Sequence, residues 1–164
     1  MASRSWQADA IRGAIAGGVA TWVMDLVTTG LLENQPKRVT AREEAARPNG
    51  KSSVGNLVDR VQAATGLRLN KSTRRMAEQA VHYALGIMPG AVYGVLRPRL
   101  RSVGAARGIA FGLALFALND ELLNTKLGLA GPISAYPAET HLRGLVGHVV
   151  LGATTDTGLS LLGV

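Results

Sequence analysis

Four stretches of this chain are almost free of charge, and their lengths restrict the fold more than any overall composition does. Residues 13–32 carry one charged side chain, Asp25, and residues 79–96 carry none; 108–125 carry Asp120 and Glu121, and 144–164 carry Asp156. Each stretch can cross a hydrocarbon core about 30 Å thick at about 1.5 Å of helix rise per residue. The 47 % hydrophobic composition would suit a soluble protein equally well, so the distribution decides the reading. It predicts an all-α, polytopic membrane protein: one membrane domain, residues 1–164, built as a four-helix bundle. The expected transmembrane helices cover about 12–32, 77–96, 105–125 and 143–163.

The net charge of +7 lies mostly outside those stretches, with ten of the eighteen Lys and Arg in residues 33–76 and four in 97–107. A nucleic-acid binder would interleave basic residues with stacking aromatics, but only seven of the 164 residues are Phe, Trp or Tyr. The charge fits loops beside anionic lipid, and the expected partner is the bilayer rather than nucleic acid. Basic residues number twelve on the side of the first and third connectors against six on the other. That favours a cytoplasmic long connector, while the dense "RPRLR" turn pulls the opposite way. There is no cysteine, which excludes disulfides and thiolate ligands. The N-terminal segment has the basic head and apolar middle of a signal peptide, but Asp25 interrupts the apolar part, so it is read as an uncleaved first span.

The connector 33–76 contains the breakers Pro36, Pro48, "NGKSS" and Gly66. Within it Val54, Leu57, Val58 and Val61 recur at i, i+3, i+4 and i+7, which predicts an amphipathic helix over about 53–65 with Ser53 as N-cap and Gly66 as stop. Such a helix belongs at the membrane interface or across the mouth of the bundle, the alternative being a solvated loop helix, since its apolar face is short. Glycines recur four apart at Gly13 and Gly17, at Gly86, Gly90 and Gly94, and at Gly104, Gly108 and Gly112. A glycine inside a helix costs about 1 kcal/mol relative to alanine in water, so the spacing calls for a reason: grooves that admit a neighbouring backbone. Packing within the bundle is favoured over a homo-oligomer interface, because three spans carry the pattern. Pro89, between two of these glycines, is expected to kink the second span and free the carbonyl of Leu85.

Aligned by depth, Asp25, His82, Asp120, Glu121 and His148 fall on one level, roughly 7–10 Å inside the end that carries the first and third connectors. Unpaired carboxylates at that level would cost about 2.5–3.5 kcal/mol each, so these groups must be paired, protonated or hydrated. A layer of carboxylates and imidazoles is suited to holding or passing a proton near neutral pH, with Asp156 extending the polar line toward the other face. The alternatives are polar glue between helices and a divalent metal site. Asp120 is expected to face the histidines and Glu121 to reach loop-side water or Lys126, since adjacent helical residues cannot share a face. Two motifs are set aside. "RPNGKSS" has Ala45 where a phosphate loop needs its first glycine, and His141 stands seven residues from His148, about 10 Å, too far for one mononuclear metal. No nucleophile–base pair marks an enzyme.

"HYALGIMPGAVYG", "ALNDELLNTKLGL" and "SAYPAETHLRGLVGHVVLG" resemble the YagU-like family of small bacterial inner-membrane proteins of unknown function, over roughly residues 10–160. The matched positions are His82, Gly90, Tyr93 and Gly94 in the second span, Asp120 and Glu121 late in the third, and His148 early in the fourth. The chain departs from the family pattern at Leu151, where an aromatic is expected. The resemblance implies a bacterial plasma-membrane protein with a part in acid or envelope stress. Together these readings lead to a small integral membrane protein whose carboxylate–histidine layer handles protons or ions without a cofactor. The alternative is a non-catalytic subunit of a larger membrane complex.

Overall fold

The computed structural model describes residues 5–100 and 102–164, with the side chain of Ala105 outside the description. Among the described residues the chain forms six helices and no strand. Helix α1 spans Trp6–Glu33, and Ser5 caps it by accepting the amide N–H of Ala8. The connector folds as α2, Lys37–Ala46, and α3, Ser53–Thr65. The cap of α3 is Ser52 rather than Ser53, and Gly66 ends it at φ 71°, a left-handed stop suited to glycine. Helix α4 runs Lys71–Leu96 from an Asn70 cap and continues through Pro89, and α6 covers Ala138–Leu161.

Helix α5 occupies 109–126 and differs from the expected span over 105–125. Ala106, Arg107 and Gly108 all have positive φ, so the helix starts only at Ile109. Its middle, Phe116–Leu123, is a π-helix, in which the Asn124 amide reaches back five residues to the Asn119 carbonyl.

The long helices pack as a row. Helix α4 lies on α1, α1 also lies on α6, and α6 on α5. Glycines let backbones meet closely at the α1–α4 and α5–α6 contacts. A side chain at Gly90 would stand 2.6 Å from the Gly13 carbonyl oxygen and 2.8 Å from the Cα of Gly17, and one at Gly94 2.8 Å from the Cα of Gly13. Gly86 and Gly17 face each other in the same seam. Across α5 and α6, Gly112 and Gly108 approach the backbone of His148 and Gly152. The third glycine series is therefore not a helical stripe: Gly104 lies ahead of the helix and Gly108 caps it with φ 80°.

Helices α4 and α5 do not pack along their length. They meet at one end, where the rings of Tyr93 and Phe111 stack with centroids 4.4 Å apart. Toward the connector end the space between them is a cavity. The connector crosses its mouth: Val54 and Leu57 of α3 line it, α3 packs on the start of α4, and buried Asn56 donates to the Leu129 carbonyl at 2.9 Å. Small and polar residues share the interior with a few large ones, Tyr93, Leu129, Leu151 and Leu159, whereas Ile11, Trp22, Met88, Val92 and Leu118 are more than half exposed.

Only α1 among the described residues is both long and apolar enough to cross a membrane on length and composition. The four-span expectation rests on the absence of charge, which is not the same as high hydropathy. Helices α4 and α6 are diluted by Gly, Thr, His and Tyr, α4 opens on Lys71, Arg74 and Arg75, and α5 is short and carries two acids.

Candidate functional site: a cavity lined by carboxylate–imidazole pairs

The gap between α4 and α5 is a half-open cavity of about 520 Å³. Four helices supply its walls, Met24 from α1, Leu85 and Pro89 from α4, Leu115 and Phe116 from α5, and Leu151 from α6. All three histidines of the protein line it, and each has a carboxylate beside it.

The first pair joins α4 to α1, with the His82 Nε2–H donating to Asp25 Oδ1 at 2.8 Å. The threonines around Asp25 leave this pair alone, since Thr21 and Thr28 donate to carbonyls of their own helix. The second and third pairs join α5 to α6. Asp120 Oδ2 lies 3.7 Å from His148 Nδ1, beyond hydrogen-bond length, and that nitrogen instead donates to the Gly144 carbonyl at 3.0 Å. Asp120 keeps one hydrogen bond, from the Asn119 side chain at 2.8 Å, and lies within electrostatic reach of His82 as well as His148.

Glu121 and His141 make the tightest pair, with Nδ1 2.6 Å from Oε1. The other ring nitrogen of His141 is 3.1 Å from the Ile133 carbonyl oxygen. A carbonyl can only accept, so Nε2–H donates to it. This corrects two expectations. His141, set aside on spacing, belongs to the cavity, and Glu121 meets it rather than Lys126 or water. The reason is the π-helix. Closing each turn over five residues brings adjacent side chains closer together in angle than an α-helix does, so Asp120 and Glu121 both reach α6.

The connector contributes a fourth carboxylate, which sequence spacing did not single out. Glu43 of α2 is buried and accepts from both Nη2 contacts of Arg143, at 2.7 and 2.8 Å, from Arg47 at 2.7 Å and from Thr140 at 3.0 Å. Burial alone would raise its pKa, but the guanidinium hydrogen bonds outweigh burial and hold it down to about 2. Glu43 and Arg47 border the cavity, and with Arg143 they form a cluster of one carboxylate and two guanidiniums. Only the pairing of Glu43 and Glu44 with basic neighbours could have pointed to it, and Glu44 shares that signal.

Asp156 lies elsewhere, outside the cavity lining. It accepts from the Tyr93 hydroxyl at 2.7 Å and from Arg97 Nε at 2.5 Å, and Arg97 also binds Ser160 and the Val164 carbonyl. At the same end buried Asp9 meets Arg99 at 2.9 Å. This end of the row is thus fastened by guanidiniums, whereas the cavity acids, Asp25, Asp120 and Glu121, have imidazole partners. Among the described residues no three His, Asp or Glu side chains converge as a metal-holding group. No family model, curated protein or solved structure matches this chain.

Proposed function

We propose that the chain is a small integral membrane protein that takes up and releases protons, or exchanges them for another cation, at the cavity between α4 and α5. One observation carries the reading: all three histidines pair with carboxylates around a single cavity, each pair drawn from two helices. Histidine is the side chain whose ordinary titration falls between pH 5 and 8, and a carboxylate beside it offers a second proton position. Polar glue would need far fewer ionisable groups, since an interhelical hydrogen bond in a membrane contributes about 0.6 kcal/mol on average.

The membrane assignment, with α4, α5 and α6 spanning alongside α1, is supported by the distribution of side chains. Glycine, alanine, threonine and ionisable groups make up much of the interior beside a few buried leucines such as Leu151 and Leu159, while many large Leu, Ile, Met and Trp side chains face outward, the arrangement that lipid favours and water does not. A bacterial plasma-membrane location rests on the resemblance to the YagU-like family. Homo-oligomers or a larger complex would use the outer apolar belt, because the glycine seams are occupied within the chain.

The test is proton flux in reconstituted vesicles with a pH-sensitive dye inside. Wild-type vesicles should acidify faster than protein-free ones under an imposed gradient, and Asp120→Asn should slow this at least about tenfold, equivalent to about 1.4 kcal/mol. Equal rates with and without protein would sink the reading. A silent or stabilising Asp120→Asn would reassign the layer to structure, since the amide keeps the shape and removes a buried charge.

A further inference from the structure

We infer that the cavity binds an organic cation with an apolar body, an amine or quaternary ammonium or phosphonium, in competition with protons. The inference rests on the proton-handling reading and names what is exchanged. Three features carry it. The first is size: about 520 Å³ lies within the range of roughly 300–1,000 Å³ that holds small organic ligands, and is far more than a bare ion occupies. The second is the wall. Leu85, Pro89, Leu115, Leu151 and Met24 are apolar, and the Phe116 ring, 5.7 Å from that of His148, lines the cavity where an aromatic can attract a cation.

The third is charge. Around the cavity, α1 supplies Asp25, α4 His82, α5 Asp120 and Glu121, and α6 His141, His148 and Arg143; the connector supplies Glu43 and Arg47. Arg143 and Arg47 are both committed to Glu43. Asp25, Asp120 and Glu121 therefore have only imidazoles as charged partners among the described residues. Counted with Glu43, Arg47 and Arg143, these groups sum to minus two with the imidazoles neutral and to plus one with all three protonated. A cation enters the first state and is expelled from the second, so each binding event releases protons from imidazolium to solvent. Asp120 is the acid best placed to receive the cation, because His148 stands beyond hydrogen-bond distance and donates to a backbone carbonyl instead.

The experiment compares tetraphenylphosphonium with tetraphenylborate, near-identical in shape and opposite in charge, by equilibrium binding to the full chain in lipid nanodiscs, with empty nanodiscs subtracted. The phosphonium should bind saturably at pH 8, at least about tenfold more weakly at pH 5.5, and at about pH 6.5, where ordinary imidazoles are partly protonated, release protons in weakly buffered solution. The borate should not bind. Asp120→Asn should weaken the phosphonium about tenfold with the melting temperature retained, and Glu121→Gln provides a second reading should that variant unfold. Equal binding of both ions would show an apolar crevice without charge selection and overturn the inference, as would binding indifferent to pH and to both variants. Absence of phosphonium binding with intact proton flux would overturn it while leaving the proton reading standing.

Discussion

Glu43 sits in a polar connector next to a second glutamate, yet its carboxylate is buried under two guanidiniums, Arg47 four residues away and Arg143 a hundred residues away. Its folded pKa of about 2 lies below its ordinary value of 4.5, so the stabilisation is present above about pH 4.5 and is lost as pH falls through the folded value. Allowing for solvent screening, the contribution at neutral pH is about 1–3 kcal/mol. Glu43→Gln should therefore lower the melting temperature in detergent at pH 7, and the difference from wild type should shrink between pH 4.5 and pH 2. A constant difference across that window would mean that Glu43 matters through packing alone. Asp120 is the opposite case: its surroundings offer imidazole and amide rather than guanidinium, which is why its replacement is read out in flux and binding rather than in melting.

At the scale of elements, the glycines of α1 and α4 are distinguished by what stands opposite them. Gly90 meets the backbone of Gly13 and Gly17, whereas Gly30 on α1 has nothing within 4 Å. Gly90→Ala should destabilise the fold by at least about 1–3 kcal/mol, because backbone cannot yield as a side chain can. Gly30→Ala should be neutral or gain up to about 1 kcal/mol from helix propensity. Equal melting temperatures for the two variants would remove the seam from the account. In α5 the π-helix plays the positioning part. Deleting Leu118, which is more than half exposed, should restore an α-helical turn and pull Asp120 and Glu121 apart in angle. One of the two α6 histidines should then lose its carboxylate, visible as a changed imidazole titration by NMR, while His82 on α4 keeps its own. Unchanged titration of both would separate the pairing from the π-helix.

For the whole molecule, the outward apolar belt makes a prediction that no single helix does. Trp6 and Trp22, the two tryptophans of the chain, are 60 % and 55 % exposed on α1. In bilayers of lipids brominated along the acyl chain, Trp22 near the middle of α1 should be strongly quenched and scarcely reached by aqueous iodide; Trp6, near the helix end, should be quenched less by the chains. The reverse pattern, iodide reaching Trp22 and bromine failing to, would place the belt in water or against a partner.

Much of this architecture is legible along the chain because it follows from local chemistry. Helical content follows from breakers and caps, the connector helix at Ser53–Thr65 from apolar spacing of i, i+3, i+4 and i+7, and the grouping of Asp25, His82, Asp120 and His148 near one end from counting residues along helices of known rise. Three features were decided only in three dimensions. The start of α5 at Ile109 depends on positive φ at Ala106 and Arg107, residues with no intrinsic bias toward that conformation. The pairing of Glu121 with His141 depends on a π-helix whose hydrogen bonds shift by one residue, a change smaller than any sequence period reports. Glu43 reaches Arg143 across about a hundred residues because the connector folds back over the cavity, and spacing within a segment carries no information about which distant charge will close over it.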